Sequence, residues 1–488
     1  MPDNIRFLIR KYPSLESVFN NDKTTDIELI PARTGEYTGE WKNILLHSRF
    51  DPRKEADRFL NGSGVQEGDN VLLYGWGLGY HVERLADRIG CAGRLVVIEL
   101  SPQILVASTK VMNLVPFWDK CKLDLVYGDN EQDVAVEIKK LNIDGGGWKI
   151  LVHQPSYKCM DNRFKNVTGL FEMNMMENRT GDLFSKKFRE NLDKNLDTFI
   201  RSPGISSCRG FFKGESVLLV GAGPSLDDNL DYLRKNQDRH YILSVDTSFP
   251  ILLENGITPD FVVSVDPQDD TMKHFRRMPD RRVLLIVTPV SCAELIEKYP
   301  GPFLFFLQKD HSVTKPLEEF FSSRGVSYSG GSVSCFALDI AVQFGFEKII
   351  MVGMDYAYTD MRFYSANAPE SVAMFKALNR FSTVEALHRK RIYSEKPLLV
   401  PSYGNSSVYS SISLCSYKKN IEKLVAIYRS KVTFYNLALG GALLKGVDSV
   451  SIDGVSGLCC AGVKKKVETA EVVCDPRLKD KVLVALNL

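Results

Sequence analysis

Ser216-Val217-Leu218-Leu219-Val220-Gly221-Ala222-Gly223-Pro224-Ser225-Leu226-Asp227 is the stretch whose reading decides the fold. The apolar run 217–220 reads as a strand buried on both faces, broken at once by two glycines one residue apart. Gly221 and Gly223 let the backbone turn sharply and meet a ligand without a Cβ in the way. Ser225 is placed to cap a helix from about Leu226, leaving free N–H groups aimed at a phosphate. The next strand, 241–245, ends on Asp246, 23 residues after Gly223 (246 − 223). Strand-like runs follow at 261–265, ending on Asp266, and at 283–287, 303–307 and 348–352, the last leading into Gly353-Met354-Asp355. Strands alternating with helical stretches imply a parallel sheet whose carboxyl ends meet at one edge, the usual ligand crevice. Asp246, Asp266 and Asp355 each sit just past a strand end beside a glycine-rich turn, the pattern of a polar active-site rim.

Working outward, Gly330-Gly331-Ser332-Val333-Ser334 opens an apolar helix through Phe336, Ile340 and Phe344. Two hydroxyls at a helix start form a second potential anion site, since capping alone needs one. Upstream, the strand 71–74 ends in Gly75-Trp76-Gly77-Leu78-Gly79, and the strand 95–98 ends on Glu99. Glu99 lies 20 residues after Gly79 (99 − 79), where a carboxylate commonly meets a ribose hydroxyl. The bulky Tyr80-His81 departs from the dinucleotide fingerprint, and a tight turn without any ligand is the alternative. Strands at 123–126 and 149–152, with a helix over 131–141, complete this first unit. The polar stretch 159–209, with Leu192, Leu196, Phe199 and Ile200 at helical spacing, reads as connecting helices, with a boundary near Ser202-Pro203-Gly204. From 361 to about 429 the pattern is helical, interrupted by a Ser/Tyr/Gly-rich loop over 402–411 suited to ordering over a ligand. A strand at 431–434 then returns the chain to the same sheet, leading into Asn436 and Gly440-Gly441.

The expected class is α/β, two tandem Rossmann-like parallel-sheet domains with a helical insertion and C-terminal region. The expected division is 1–155 for a methyltransferase-like Rossmann domain, 156–210 for a helical connector and 211–360 for a nucleotide-binding domain. Residues 361–430 form the insertion, and 431–488 the return to the core and the tail.

The 488 residues carry 62 Lys+Arg against 60 Asp+Glu, a net charge of +2 that lacks the basic excess of a dedicated nucleic-acid binder. Hydrophobic residues at 44% and charged residues at 25% exclude wholesale disorder. A mean hydropathy of −0.13 and no apolar run of spanning length give no expectation of a membrane helix. Residues 1–20 lack an apolar secretory core, so a cytoplasmic chain is expected. The ten cysteines form no Cys-x-x-Cys pair, and the adjacent Cys459-Cys460 is poorly placed to chelate one ion, so reduced, buried thiols are expected. The seven histidines are isolated from one another along the chain, and neither a metal site nor a tightly bound cofactor is expected.

Gly221 to Asp227, Asn255-Gly256-Ile257-Thr258-Pro259-Asp260 through Ser264-Val265-Asp266, Gly330 to Ser334, and Gly353-Met354-Asp355-Tyr356-Ala357-Tyr358 resemble, in order and spacing, the signature of one family. It is that of the motility accessory factors, Maf-type flagellin glycosyltransferases with an MptE-like domain. The turn Gly75 to His81 and the ending Asn436 to Gly446 are similar to that family's first domain and closing segment. The resemblance implies transfer of a nonulosonic acid, pseudaminic or legionaminic, from a CMP-activated donor to Ser/Thr of flagellin, in support of flagellar assembly and motility. It implies a central domain similar to inverting bacterial sialyltransferases that need no structural metal. Relatives often carry His shortly after the Gly-x-Asp-x-Ala segment, where this chain has Tyr364, a poor general base at neutral pH.

On this basis Gly221, Gly223, Pro224, Ser225, Asp246, Asp266, Ser332, Ser334 and Tyr356 are expected to hold the donor nucleotide and sugar. Asp355, Tyr358, Tyr364 and His311 are the expected catalytic candidates, with Asp355 first as base or base-orienter. The expected partners are flagellin and the nucleotide-activated sugar, without nucleic acid or membrane, and a homo-oligomer fits equally well. Two other readings stand beside it. One is an MptE-like 6-hydroxymethylpterin diphosphokinase using ATP, with Asp266 and Asp269 or Asp270 on Mg²⁺. The other is a non-catalytic flagellin-binding protein.

Overall fold

The computed structural model describes residues 2–20, 27–128, 130–140, 148–160, 164, 184, 186–277, 283–309, 311, 313–328, 331–376, 378, 383–395, 397–403, 406–437, 440–458, 464, 467 and 477–486. Gly330, Cys459 and Cys460, named above, lie outside them, as does Cys474, another of the ten cysteines. The chain divides into two compact units, Met1–Arg179 and Thr180–Leu488.

In the first unit four strands, β1 (Asn70–Tyr74), β2 (Arg94–Ile98), β3 (Lys122–Val126) and β4 (Trp148–Val152), form a wholly parallel sheet in the order β3-β2-β1-β4. Helix α1 (Tyr80–Ile89) follows the glycine turn after β1. A small antiparallel sheet of Glu28–Pro31, Tyr37–Trp41 and Ile44–Leu45 precedes them.

The second unit holds an eight-stranded, all-parallel sheet. Its strands are β5 (Ser216–Val220), β6 (Tyr241–Val245), β7 (Phe261–Ser264), β8 (Leu284–Val287), β9 (Phe303–Phe305), β10 (Lys348–Val352), β11 (Thr433–Asn436) and β12 (Asp448–Ser449), in the order β9-β8-β7-β6-β5-β10-β11-β12. Period-two alternation divides each central strand between two cores. Val217, Leu219, Ile349 and Met351 enter one, with Phe336, Ile340 and Phe344 of helix α2 (Val333–Phe344). Leu218, Val220, Ile350 and Val352 enter the other. Burial on both faces is why these runs are continuously apolar, and Ile350→Ala would cost roughly 2–5 kcal/mol through the cavity it leaves.

The chain winds outward from β5 to β9, then crosses back to lay β10 on the other flank of β5. The reversal falls between β5 and β10, whose carboxyl ends mark the place where such sheets bind ligands. Strand β11 pairs with β10, so the segment between them is an insertion into one sheet. Within it, helices α3 (Pro369–Lys376), α4 (Val384–Ser394) and α5 (Ile412–Tyr428) are accompanied by an antiparallel pair, Leu398–Pro401 with Ser407–Ser410. Residues 407–410 of the stretch expected as a loop over 402–411 are therefore strand, and Ser411 caps α5 by accepting from the Leu414 N–H at 3.3 Å. No described helix is long and apolar enough to cross a membrane.

Candidate functional site

The ends of β5 and β10 touch. The Gly221 N–H donates to the Val352 carbonyl at 2.8 Å, and the Gly223 N–H to the Gly353 carbonyl at 2.8 Å. The Asp355 carboxylate reaches across to accept from the Ser225 N–H at 3.0 Å and from the Thr359 hydroxyl at 3.2 Å. A Cβ on Gly223 would lie 2.0 Å from Asp355 Oδ2 and 2.7 Å from the Gly353 carbonyl oxygen. The glycine is thus required by the neighbouring strand end, whether or not a ligand is bound.

Two expectations change here. Ser225 does not cap a helix: a 3-10 turn, Pro224–Asn229, begins instead, with no side-chain cap. The N–H groups of Gly221, Gly223, Ser225 and Leu226 are all bonded within the protein, so the turn offers an anion fewer donors than its sequence suggests. Asp355 is 2% exposed, and burial pushes its pKa up to about 6. That placement suits joining two strand ends.

The hydroxyls at the start of α2 do converge. Ser332 and Ser334 share a hydrogen bond at 2.9 Å, and Ser334 shares another with the Tyr356 phenol at 3.0 Å. Ser332 occupies the N-cap position without a side-chain cap bond, which leaves its hydroxyl in this chain and the helix end facing it. Tyr356 is held at φ +47°, with Asp360 and Met361 also at positive φ, marking a backbone kept in an unfavourable region by its surroundings.

Asp246 is buried, accepting from the Thr247 N–H at 2.8 Å and the Ser264 hydroxyl at 2.9 Å, and burial raises its pKa. Asp266 is partly exposed and accepts from the Gln268 N–H at 2.9 Å. Tyr358 is buried and donates to Glu395 at 2.5 Å, while Tyr364 packs against the core beside β10. His311 sits edge-on to Phe188 at 4.8 Å.

Two groupings escaped the sequence reading. Asp227, last residue of the glycine motif, takes hydrogen bonds from Ser365, the Ala366 N–H (3.0 Å) and Arg362 (2.6 Å), tying the motif to the insertion. His274 lies 3.0 Å from Glu370 through Nε2, and its buried Nδ1 has no hydrogen-bond partner among the described residues. An imidazole oriented by a carboxylate on one nitrogen and unpaired on the other has the pairing of a general base. Beside it lies an open cleft of about 420 Å³ lined by Asp269, Asp270, Met272, Lys273, Phe275 and Arg276. Asp269 is paired with Lys187 at 2.7 Å and Asp270 with Lys273 at 2.5 Å.

In the first unit the turn after β1 is filled from within. Glu99, 0% exposed, accepts from the Trp76 N–H at 2.8 Å and the Ser101 N–H at 2.9 Å, and burial lifts its pKa to about 7. The carboxylate expected at a ribose hydroxyl therefore closes its own turn. Histidines that are isolated along the chain meet in the fold: His47, His81 and His153, far apart in sequence, are buried together against this turn.

Residues 190–361 match the family described as 6-hydroxymethylpterin diphosphokinase MptE-like. A 6-hydroxymethyl-7,8-dihydropterin pyrophosphokinase of Methanocaldococcus jannaschii is 24% identical over 200 residues, 40% of this chain and 78% of that enzyme. An uncharacterized protein of Treponema pallidum is 41% identical over 52 residues, 11% of this chain, so the chain spans only 25% of that relative's length. Among solved structures, a Maf glycosyltransferase from Magnetospirillum magneticum AMB-1 aligns over 100% of this chain and 77% of its own, at 15% identity and a TM-score of 0.47.

Proposed function

We propose that the second unit is a glycosyltransferase, moving a nonulosonic acid from a CMP-activated donor to a Ser/Thr hydroxyl of flagellin. The observation that carries this reading is His274, held by Glu370 and unpaired at its buried Nδ1, near Asp246. His274 takes the place left by Tyr364, whose phenol burial drives further from titrating at neutral pH. In the step, the acceptor hydroxyl gives its proton to His274 Nδ1 as its oxygen bonds to the anomeric carbon. The bond from that carbon to the phosphate oxygen breaks, and CMP leaves with the electron pair. The start of α2, with Ser332, Ser334 and Tyr356, together with Lys273 and Arg276 along the cleft, meets the charge that develops on the phosphate. Asp355 and Gly223 hold β5 and β10 in register for this.

The test is intact-mass analysis of flagellin incubated with the chain and a CMP-activated nonulosonic acid. Wild type adds one or more sugar masses, and His274→Gln slows addition by about 10²–10⁴-fold while retaining CMP affinity. No added mass overturns the transferase reading, and an unimpaired His274→Gln removes the base.

A second reading, ATP-dependent diphosphate transfer to a hydroxymethylpterin, is favoured by the extent of the archaeal match, 78% of that enzyme. Mg²⁺ would then have to displace Lys187 from Asp269 or Lys273 from Asp270. Mg²⁺-dependent AMP release with that pterin would establish it.

A further inference from the structure

The geometry points to a transition-metal site of three imidazoles, zinc being the natural occupant, at His47, His81 and His153 of the first unit. One ring nitrogen from each lies within 4.8 Å of those of the other two, and all three side chains are buried. His47 follows the short strand Ile44–Leu45, His81 is the second residue of α1, and His153 directly follows β4. They meet where β1 and β4 diverge, the reversal point of the four-stranded sheet.

Two features suggest a cradle built for an ion. Each ring is held from outside on one nitrogen: His47 Nδ1 lies 3.4 Å from Glu55, His81 Nε2 bonds the Gly75 carbonyl at 3.1 Å, and His153 Nδ1 bonds the Ser156 hydroxyl at 2.8 Å. Such outer partners fix the tautomer and turn the other nitrogen inward in metal sites. The second feature is Gly77, at φ +54°. The position a Cβ would take there lies 2.7 Å from His47 Nε2 and 3.0 Å from Cε1 of both His81 and His153, so only glycine lets the three rings close together against the turn.

Burial pushes His81 down to about 3 and also lowers His153, keeping those two rings neutral, as ligation requires. Tetrahedral zinc, with Zn–N near 2.0–2.1 Å, sets ligand nitrogens about 3.3 Å apart. The rings must therefore draw in by up to about 1.5 Å and unstack from centroid spacings of 4.2 Å and 4.9 Å. His47 Nε2 exchanges its bond from the Leu78 N–H, 2.9 Å, for the ion, and the Leu46 carbonyl bonded to the His153 ring gives way similarly. Three histidines leave one position for water or substrate, the pattern of an open rather than a closed zinc site.

The probe is Co²⁺ added to chelator-stripped full-length chain, followed by visible absorption, with X-ray absorption on the zinc-loaded protein. Expected are one equivalent of Co²⁺ with four-coordinate bands, and a zinc shell of nitrogen and oxygen showing imidazole scattering. His81→Gln and His153→Gln, each verified as folded by circular dichroism, should weaken Co²⁺ binding at least 100-fold, while His240→Gln in the second unit leaves it unchanged. Failure of wild type to take up stoichiometric Co²⁺, wild-type affinity in a folded His81→Gln chain, or sulfur in the zinc shell would each overturn the site. The absorption spectrum decides without any variant, should both fail to fold.

Discussion

Replacing Asp355 by Asn probes how the crevice is held together. The carboxyl is 2% exposed, and desolvation is the main reason its pKa rises from 3.8 to about 6. A raised value means the fold favours the neutral acid. The stability this contributes is fully present below about pH 3.8 and is lost as pH climbs through about 6. A shift of about 2 units is worth about 3 kcal/mol. Asn keeps the size, accepts the Ser225 N–H through its carbonyl and donates to the Thr359 hydroxyl, with no charge to bury. Hydrogen exchange on peptides covering 216–227 and 348–359 reads the local opening free energy. From pH 4 to pH 8 the protection of Asp355→Asn relative to wild type should rise by about 2–3 kcal/mol, most of it below about pH 6. A flat or reversed difference would show that the ionised carboxylate is held by a positive partner, Arg362 being the nearest in effect, and would refute the desolvation argument.

Three other outcomes follow from the same geometry. Gly223→Val should destabilise the second unit by about 1–3 kcal/mol or more through contact with Asp355 and the Gly353 carbonyl; an unshifted melting temperature counts against that contact. Glu99→Gln should abolish a stability loss of about 3 kcal/mol that the wild-type first unit suffers between about pH 4.5 and 7. Tryptophan fluorescence reports it, because Trp41, Trp76, Trp118 and Trp148 all lie in that unit, and equal pH profiles would refute it. Ser334→Ala should weaken CMP binding by about tenfold, the worth of one hydrogen bond, and calorimetry showing unchanged affinity would move the phosphate elsewhere.

The strands were legible because each is a run of apolar residues buried on both faces, closed by glycine or aspartate, as in 217–223 and 349–355. The return of β11 to the sheet was legible for the same reason. The pair Leu398–Pro401 and Ser407–Ser410 was not, since its residues are largely exposed or half-buried and lack the apolar run that marks the central strands. Within the site, Ser332, Ser334 and Tyr356 were found through motif positions that the fold brings into contact. His274 with Glu370, and His47 with His81 and His153, are separated by tens of residues, and sequence spacing carries no trace of such meetings. The role of Gly223 was misread for a related reason: the atom requiring its missing Cβ belongs to Asp355, 132 residues on (355 − 223).

The central claim is that the second unit binds a cytidine monophosphate donor at the strand-end crevice without a metal. Titration calorimetry of the full chain with CMP and with ATP, each with and without Mg²⁺, tests it most directly. The expected result is CMP binding indifferent to Mg²⁺ and weakened in Ser334→Ala, with ATP much weaker. Binding of ATP alone, dependent on Mg²⁺ and lost in Asp269→Asn or Asp270→Asn, would contradict it.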